Sequence, residues 1–282
     1  MTGSFRGLTV PVVWWSLVGL LAIGATACVA GDGGGEAIGG PLIGQDALVV
    51  AGASDLRPAF EEIGVLFTAA TGHEVVFDFG SSGQLAQRII EGAPVDVYAS
   101  ASAEFVDRVL AEGVGDPDTR ALYAVGRIAI WSRADGWGGW STLEELVSDP
   151  EVQVLAIANP EHAPYGRAAE EALKSQQLWG TVEPSLVLGE NISDTQRLAS
   201  TGDADAAIVA LSLAIASGDA GEWALIDESL HRPLEQVLIT ISTQEGRVEA
   251  AQAFAAFVNQ PEGREVMLRF GFALPGEQVE AD

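Results

Sequence analysis

The residues whose types and spacing could do chemistry together sit in three turns of this 282-residue chain. Ser54 closes the apolar run that begins at Leu48. Ser81 and Ser82 stand between Gly80 and Gly83, after the run from Val75. Asn191 and Ile192 follow Leu188-Gly-Glu. Each turn ends a strand-like run and opens a helical one. A helix N-terminus presents unpaired backbone N–H groups and the positive end of the peptide dipole, so each turn is a seat for an anion. Serine hydroxyls add donors that carry no charge. Several such ends, distant in sequence, can converge on one small ligand, and the chemistry they point to is capture.

Each motif also has a plain reading. Serine is a favoured N-cap, so Gly80-Ser-Ser-Gly83 could simply start a helix. Two adjacent serines flanked by glycines exceed what capping needs, which favours binding. Asp55 puts a carboxylate where an anion would sit. The more economical account turns it away from the pocket, where it favours the helix dipole from outside; the sharper one has it accept a hydrogen bond from a protonated oxyanion such as hydrogen phosphate. The segment from Ala158 to Gly166 carries Pro160 and Pro164, which stiffen it. A rigid loop of this kind makes Tyr165 a candidate ligand wall.

Catalysis finds little support. There is no G-x-S-x-G elbow to present a nucleophilic serine, and Gly80-Ser-Ser-Gly83 lacks the lysine of a phosphate-binding Walker loop. The three histidines, His73, His162 and His231, fall in unrelated segments and offer no metal-ligand spacing. No cofactor is expected.

These turns need a scaffold that alternates strand and helix. Short runs rich in valine and isoleucine predict strands over 47–51, 74–79, 95–99, 127–131, 154–158, 206–210 and 236–241. Helical patterns lie over 56–70, 84–91, 104–112, 166–177 and 195–200, and two more, 245–259 and 263–270, close the chain. The alternation predicts an α/β fold with mainly parallel sheets, and the closing helices are expected to cover a sheet laid down earlier.

The formal net charge of -26 argues against nucleic acid as a partner. It also repels an anion, so local dipoles must outweigh a diffuse field that salt screens within about 8 Å. Before the folded part, Arg6 precedes an uncharged run from Gly7 to Ala27, and Ala25-Thr-Ala leads into Cys28, the single cysteine. A charged start, an apolar middle and small residues at the end read as a signal peptide over 1–27. Cys28 in that position resembles the lipidated cysteine of bacterial lipoproteins, with Ala25 where leucine is usual. The glycine-rich stretch 28–45 reads as a flexible tether. Localisation outside the cytoplasmic membrane, held there by a lipid anchor, is the expectation.

Six segments in order carry a family resemblance: Ala51-Gly-Ala-Ser-Asp-Leu56, Gly80-Ser-Ser-Gly-Gln-Leu-Ala86, Glu91-Gly-Ala-Pro-Val-Asp-Val97, Asn159-Pro-Glu-His-Ala-Pro-Tyr-Gly166, Gly189-Glu-Asn-Ile-Ser193 and Ala207-Ile-Val-Ala-Leu-Ser212. From about residue 48 to 272 the chain resembles the molybdate-binding proteins of bacterial ABC importers. The resemblance implies a two-lobed periplasmic-binding-protein fold of type II, closing on the ligand in the cleft between lobes. It implies molybdate or tungstate as ligand, an ABC permease with its ATPase as partner, and a monomer. Carried over, Ser54 and Ser82 are hydroxyl donors, Tyr165 lies on the second-lobe loop, and Ile192 offers its backbone N–H. These four would hold the metal as its oxyanion, with Ser81 and Asn191 beside them. Ala210 stands where some members have a tyrosine, and Asp55 where some have an apolar residue. The expected lobes are 46–126 with 234–282, and 127–233, with the hinge at the strands 127–131 and 236–241. Phosphate or sulfate is the alternative ligand.

Overall fold

The computed structural model describes residues 47–243 and 245–276. The expected signal peptide, Cys28 and tether lie outside the described residues. In chain order the strands are β1 (Leu48–Ala53), β2 (Val75–Gly80), β3 (Val97–Ser100), β4 (Ala121–Gly126), β5 (Ile128–Arg133), β6 (Leu155–Ala158), β7 (Leu186–Gly189), β8 (Ala206–Ala210), β9 (Gly221–Leu225) and β10 (Leu234–Thr240). The α-helices are α1 (Arg57–Thr71), α2 (Ser82–Ile90), α3 (Ala103–Ala111), α4 (Leu143–Ser148), α5 (Pro164–Ser175), α6 (Trp179–Val182), α7 (Ile192–Thr201), α8 (Leu211–Ala216), α9 (Glu245–Val258) and α10 (Pro261–Arg269).

Local chemistry accounts for these elements. Pro58 sits in the first turn of α1, where its missing N–H costs nothing, and Gly72, at φ +79°, ends the helix in the left-handed conformation. Between them Phe60, Ile63 and Phe67 recur at helical spacing and are fully buried. Burial of each such side chain contributes about 1.5–3 kcal/mol. Phe254 of α9 meets Phe60 and Phe67 edge-on, with ring centroids 5.8 and 5.3 Å away.

The strands form two five-stranded sheets, ordered β2-β1-β3-β10-β4 and β7-β6-β8-β5-β9. The chain crosses from the first to the second between Gly126 and Ile128, and returns between Leu225 and Leu234. Each crossing enters its new sheet as an antiparallel strand: β5 runs antiparallel to β8 and β9, and β10 to β3 and β4. The β1–β2, β1–β3, β6–β7 and β6–β8 pairs are parallel. The sheets are therefore mixed rather than mainly parallel, because the two crossing strands insert between parallel neighbours. This is the two-lobed α/β architecture of periplasmic binding proteins.

Strand β9 escapes sequence reading because Glu222, Trp223 and Leu225 are exposed, which breaks the apolar signature. Helix α8 escapes because its apolar run continues β8 without punctuation. The closing helices do return to the first sheet. Arg247 of α9 binds Asp96 through Nε–Oδ1 at 2.8 Å, and the other oxygen of Asp96 accepts the Val49 N–H at 2.8 Å.

Candidate functional site

Four helical N-termini meet at the carboxyl ends of the strands, where α/β sheets hold their ligands. After β1 a short 3-10 turn carries Ser54 and Asp55; α2 begins at Ser82; α5 begins at Pro164; and α7 begins at Ile192. Ser54, Asp55, Ser81, Ser82, Tyr165 and Ile192 line one small cleft, together with Gly80, Ala101 and Pro164. No lysine or arginine is among its lining residues.

The two serine hydroxyls that were candidate donors share an arrangement. Ser82 Oγ accepts the N–H of Ala101 at 3.0 Å, and Ser54 Oγ accepts the N–H of Ser193 at 3.3 Å. An oxygen that accepts from the main chain keeps its own O–H for another partner. Neither serine side chain caps its helix, so the plain capping reading does not describe what they do. Ile192, at the first position of α7, has a backbone N–H with no acceptor inside its own helix.

Ser81 has a different task. Its hydroxyl donates to the His162 carbonyl at 2.6 Å and lies 2.9 Å from His162 Nδ1, while the Gly83 N–H donates to the same carbonyl at 3.0 Å. This ties the first sheet's turn to the loop after β6. A serine beside an imidazole is the start of a nucleophilic pair, but the Ser81 proton goes to a carbonyl. Among the described residues no carboxylate hydrogen-bonds the ring to orient it. Asn191 is set apart from the cleft: its side chain accepts the Asp194 N–H at 3.0 Å and caps α7.

Asp55 corrects the economical expectation. It does not turn outward; it lines the cleft, with 0% of its surface exposed. Its Oδ2 accepts from Tyr165 Oη at 2.9 Å and from Gln236 Nε2 at 2.8 Å, and its main-chain carbonyl accepts from Ser212 Oγ at 2.7 Å. Its Oδ1 is buried without a partner. Burial pushes the carboxyl up to about 7, against the lowering effect of the hydrogen bonds from Tyr165, its own backbone and Gln236. Burial, followed by the neighbouring Asp55, likewise raises Tyr165 well above an ordinary phenol. The Tyr165 hydroxyl is therefore engaged with Asp55 and with Gln236, whose Nε2 lies 3.3 Å away. Gly126, at the first crossing, makes room for it: a Cβ there would lie 2.2 Å from Tyr165 Oη.

Sequence reading did not find Gln236 or Ser212. The available signal was an amide at the head of the apolar run 236–241, since a polar side chain in a buried strand needs a partner. The partner, Asp55, is 181 positions away, beyond any local pattern.

Comparison with known proteins agrees with this architecture. Residues 48–273 match the family described as bacterial extracellular solute-binding protein. The molybdate-binding protein ModA of Rhodobacter capsulatus is 34% identical over 236 residues, covering 82% of this chain and 90% of that protein. The solved structure of the Azotobacter vinelandii periplasmic molybdate-binding protein superposes with a TM-score of 0.74 at 25% identity, covering 81% of this chain and 99% of its own. The sulfate-binding protein SubI of Mycobacterium tuberculosis shares the fold, with a TM-score of 0.70 at 15% identity, covering 82% of this chain and 87% of that one. The chain belongs to the bacterial extracellular solute-binding proteins, in the branch that includes the molybdate-binding proteins.

Proposed function

We propose that this protein captures molybdate, or tungstate, outside the cytoplasmic membrane and delivers it to an ABC permease and its ATPase. The observation that carries the reading is a cleft built from uncharged donors. The hydroxyls of Ser54 and Ser82 are free to donate, the Ile192 amide heads a helix, and no cationic side chain lines the space. A fully ionised tetrahedral dianion has no proton to give, so every contact to it can be a donor. Protein atoms would touch its oxygens, and none would ligate the metal. Ser54, Ser82 and Ile192 are the proposed donors, Tyr165 and Ser81 line the cleft beside them with their hydroxyls engaged by Asp55 and His162, and Asn191 serves by ordering the start of α7.

The proposed lobes are 46–126 with 234–282, and 127–233, closing about the two crossings. The contacts of Ser81 with His162 and of Ser54 with Ser193 join the two sheets' turns and support a closed form. We further infer a signal peptide over 1–27, lipidation at Cys28, a tether over 28–45 and a monomeric receptor; the Gly7–Ala27 run, the lone cysteine and the glycine-rich stretch support that reading.

Isothermal titration of the folded domain with molybdate, tungstate, sulfate and phosphate tests the proposal. Tight, one-to-one binding of molybdate or tungstate, with sulfate and phosphate weaker, is the expected result. Sulfate or phosphate binding more tightly than both metal oxyanions would overturn it.

A further inference from the structure

The carboxyl of Asp55 is the one group in the cleft that the neutral-donor account leaves unexplained. A carboxylate beside a dianion is repulsive, and a buried unpaired carboxylate is costly in its own right. Yet Asp55 is fully buried, lines the cleft, and has one oxygen, Oδ2, saturated by Tyr165 and Gln236 while the other, Oδ1, meets no donor. Two donors on one oxygen and none on the other is the pattern of a carboxylic acid whose proton sits on the unpartnered oxygen. We propose that Asp55 meets the oxyanion as a neutral acid, donating from Oδ1, so that uptake of the dianion is coupled to uptake of one proton. The inference rests on the oxyanion reading above.

The surroundings of Asp55 are consistent with a neutral acid. The titratable groups that face it are phenols, Tyr165 of α5 and Tyr123 of β4, both raised by burial and by Asp55 itself. Gln236 of β10 and Ser212 of α8 are uncharged. Arg57, two residues on, is a surface side chain paired with Glu61 at 3.4 Å. No nearby cation therefore holds the carboxyl in its ionised form. Burial, outweighing the hydrogen bonds from Tyr165, its own backbone and Gln236, brings it to about 7 before any anion binds, and a bound dianion pushes it higher still, since like charges oppose ionisation. Balance is simple: the proton comes from solvent, goes to Oδ1 and leaves with the anion.

The sign follows. Below pH 7 the free protein already carries the proton, and affinity is flat. Above pH 7 each binding event must first take a proton up, so affinity falls about tenfold per pH unit. Asp55→Asn is the isosteric probe: its Oδ1 can accept from Tyr165 and Gln236 while its Nδ2 donates permanently.

The experiment is isothermal titration of the wild type and Asp55→Asn with molybdate at pH 6 and pH 8, where molybdate stays a dianion. Each titration is run in two buffers of unlike ionisation enthalpy, with thermal melts to confirm folding. The wild type should bind about tenfold more weakly at pH 8 than at pH 6, and should take up close to one proton per anion at pH 8. Asp55→Asn should bind with nearly equal affinity at the two pH values and take up no proton. A pH slope that survives in Asp55→Asn would place the titrating group elsewhere and overturn the inference. So would wild-type binding that is flat with pH and buffer, although the oxyanion function would stand. Binding of phosphate in preference to molybdate, lost in Asp55→Asn, would make Asp55 an acceptor from a protonated ligand and would overturn both readings. No heat with any oxyanion at either pH would likewise overturn both.

Discussion

The first sheet receives its antiparallel strand, β10, from the second crossing, and the second sheet receives β5 from the first. Apart from that exchange, the sheets follow one order: β1 corresponds to β6, β2 to β7 and β3 to β8. The carboxyl ends of these strands meet at the cleft, the turn after β1 against that after β7 and the turn after β2 against the loop after β6, but they present different chemistry. From β1 and β2 come side chains: the hydroxyls of Ser54 and Ser82 and the carboxyl of Asp55. From β6 and β7 come a proline-stiffened loop with a phenol already engaged, and the backbone amide of Ile192. The first half thus supplies donors that a substitution can delete, and the second half supplies donors fixed by chain geometry.

The largest expected effect falls on the first half and needs no ligand. Asp55 has a folded-state value of about 7 against an ordinary 3.8. Between those values the folded state holds more protons than the unfolded state, so stability falls as pH rises through that window, and above pH 7 the whole cost is present. The cost is on the order of 4 kcal/mol. Asp55→Asn, which keeps both hydrogen bonds and cannot ionise, should therefore be more stable than the wild type at pH 8 by up to roughly that amount. The gain should shrink towards pH 4. Urea melts across this range check the trend, and a variant less stable than the wild type at pH 8 would mean that the carboxylate is stabilised by its neighbours.

Next come the free hydroxyls. A lost hydrogen bond to a charged ligand costs about 1.5–3 kcal/mol, roughly ten- to a hundredfold in dissociation constant. Ser54→Ala and Ser82→Ala should each weaken molybdate binding by that order. Ile192→Ala on the opposite wall should change it less than about threefold, because the donor there is main chain. Titration calorimetry of the three variants measures the contrast directly. Equal losses at all three positions would erase the distinction between the halves.

The same division explains what could be read in the sequence. Ser54, Ser82 and Ile192 are legible because each sits at a strand-to-helix turn, and the turn chemistry is local. The alternation itself is local too, so the α/β class and nearly every long helix can be read directly. Partnership is not local. Ser81 looks like a second ligand donor, yet its hydroxyl is spent on His162, 81 residues away. Tyr165 looks like a free phenol until Asp55 and Gln236 are brought against it. Asp55 looks like an ordinary first-turn acid, and only the fold reveals that both sheets and the return crossing close over it. The mixed strand order is hidden for the same reason: β5 and β10 gain their neighbours through crossings, which leave no periodic mark.

Closure gives a smaller effect. Gly83 approaches the second half so closely that a Cβ would lie 2.7 Å from the His162 carbonyl oxygen. Gly83→Ala should push the turns apart and forfeit the Gly83 N–H bond to the His162 carbonyl. At about 0.5–1.5 kcal/mol per neutral hydrogen bond, affinity should fall about two- to tenfold with little change in melting temperature. Scattering should show a larger radius of gyration at saturating molybdate than for the wild type. An unchanged radius and affinity would show that this contact does not hold the halves together.

The smallest effects concern two arginines, and they separate a contact across the halves from one within a half. Arg88 of α2 pairs with Asp78 of β2 at 2.9 Å, on an exposed surface of the first half. Arg167 of α5 reaches over to Glu104 of α3 at 2.7 Å and lies 4.8 Å from the Phe105 ring centroid, so it joins the halves beside the cleft. Exposed pairs are worth about 0–1 kcal/mol and are screened by salt. A cation over an aromatic ring adds about 0.5–1 kcal/mol at such sites. Arg88→Ala should leave the dissociation constant for molybdate unchanged. Arg167→Ala should raise it by no more than about tenfold, less at high salt, because it takes an outer brace from the closed form and no donor from the anion. A titration at low and high ionic strength compares the two. If Arg167→Ala or Arg88→Ala weakened binding more than both Ser54→Ala and Ser82→Ala, affinity would come from cationic charge. The division into side-chain donors on one wall and main-chain donors on the other would then not describe how the anion is held.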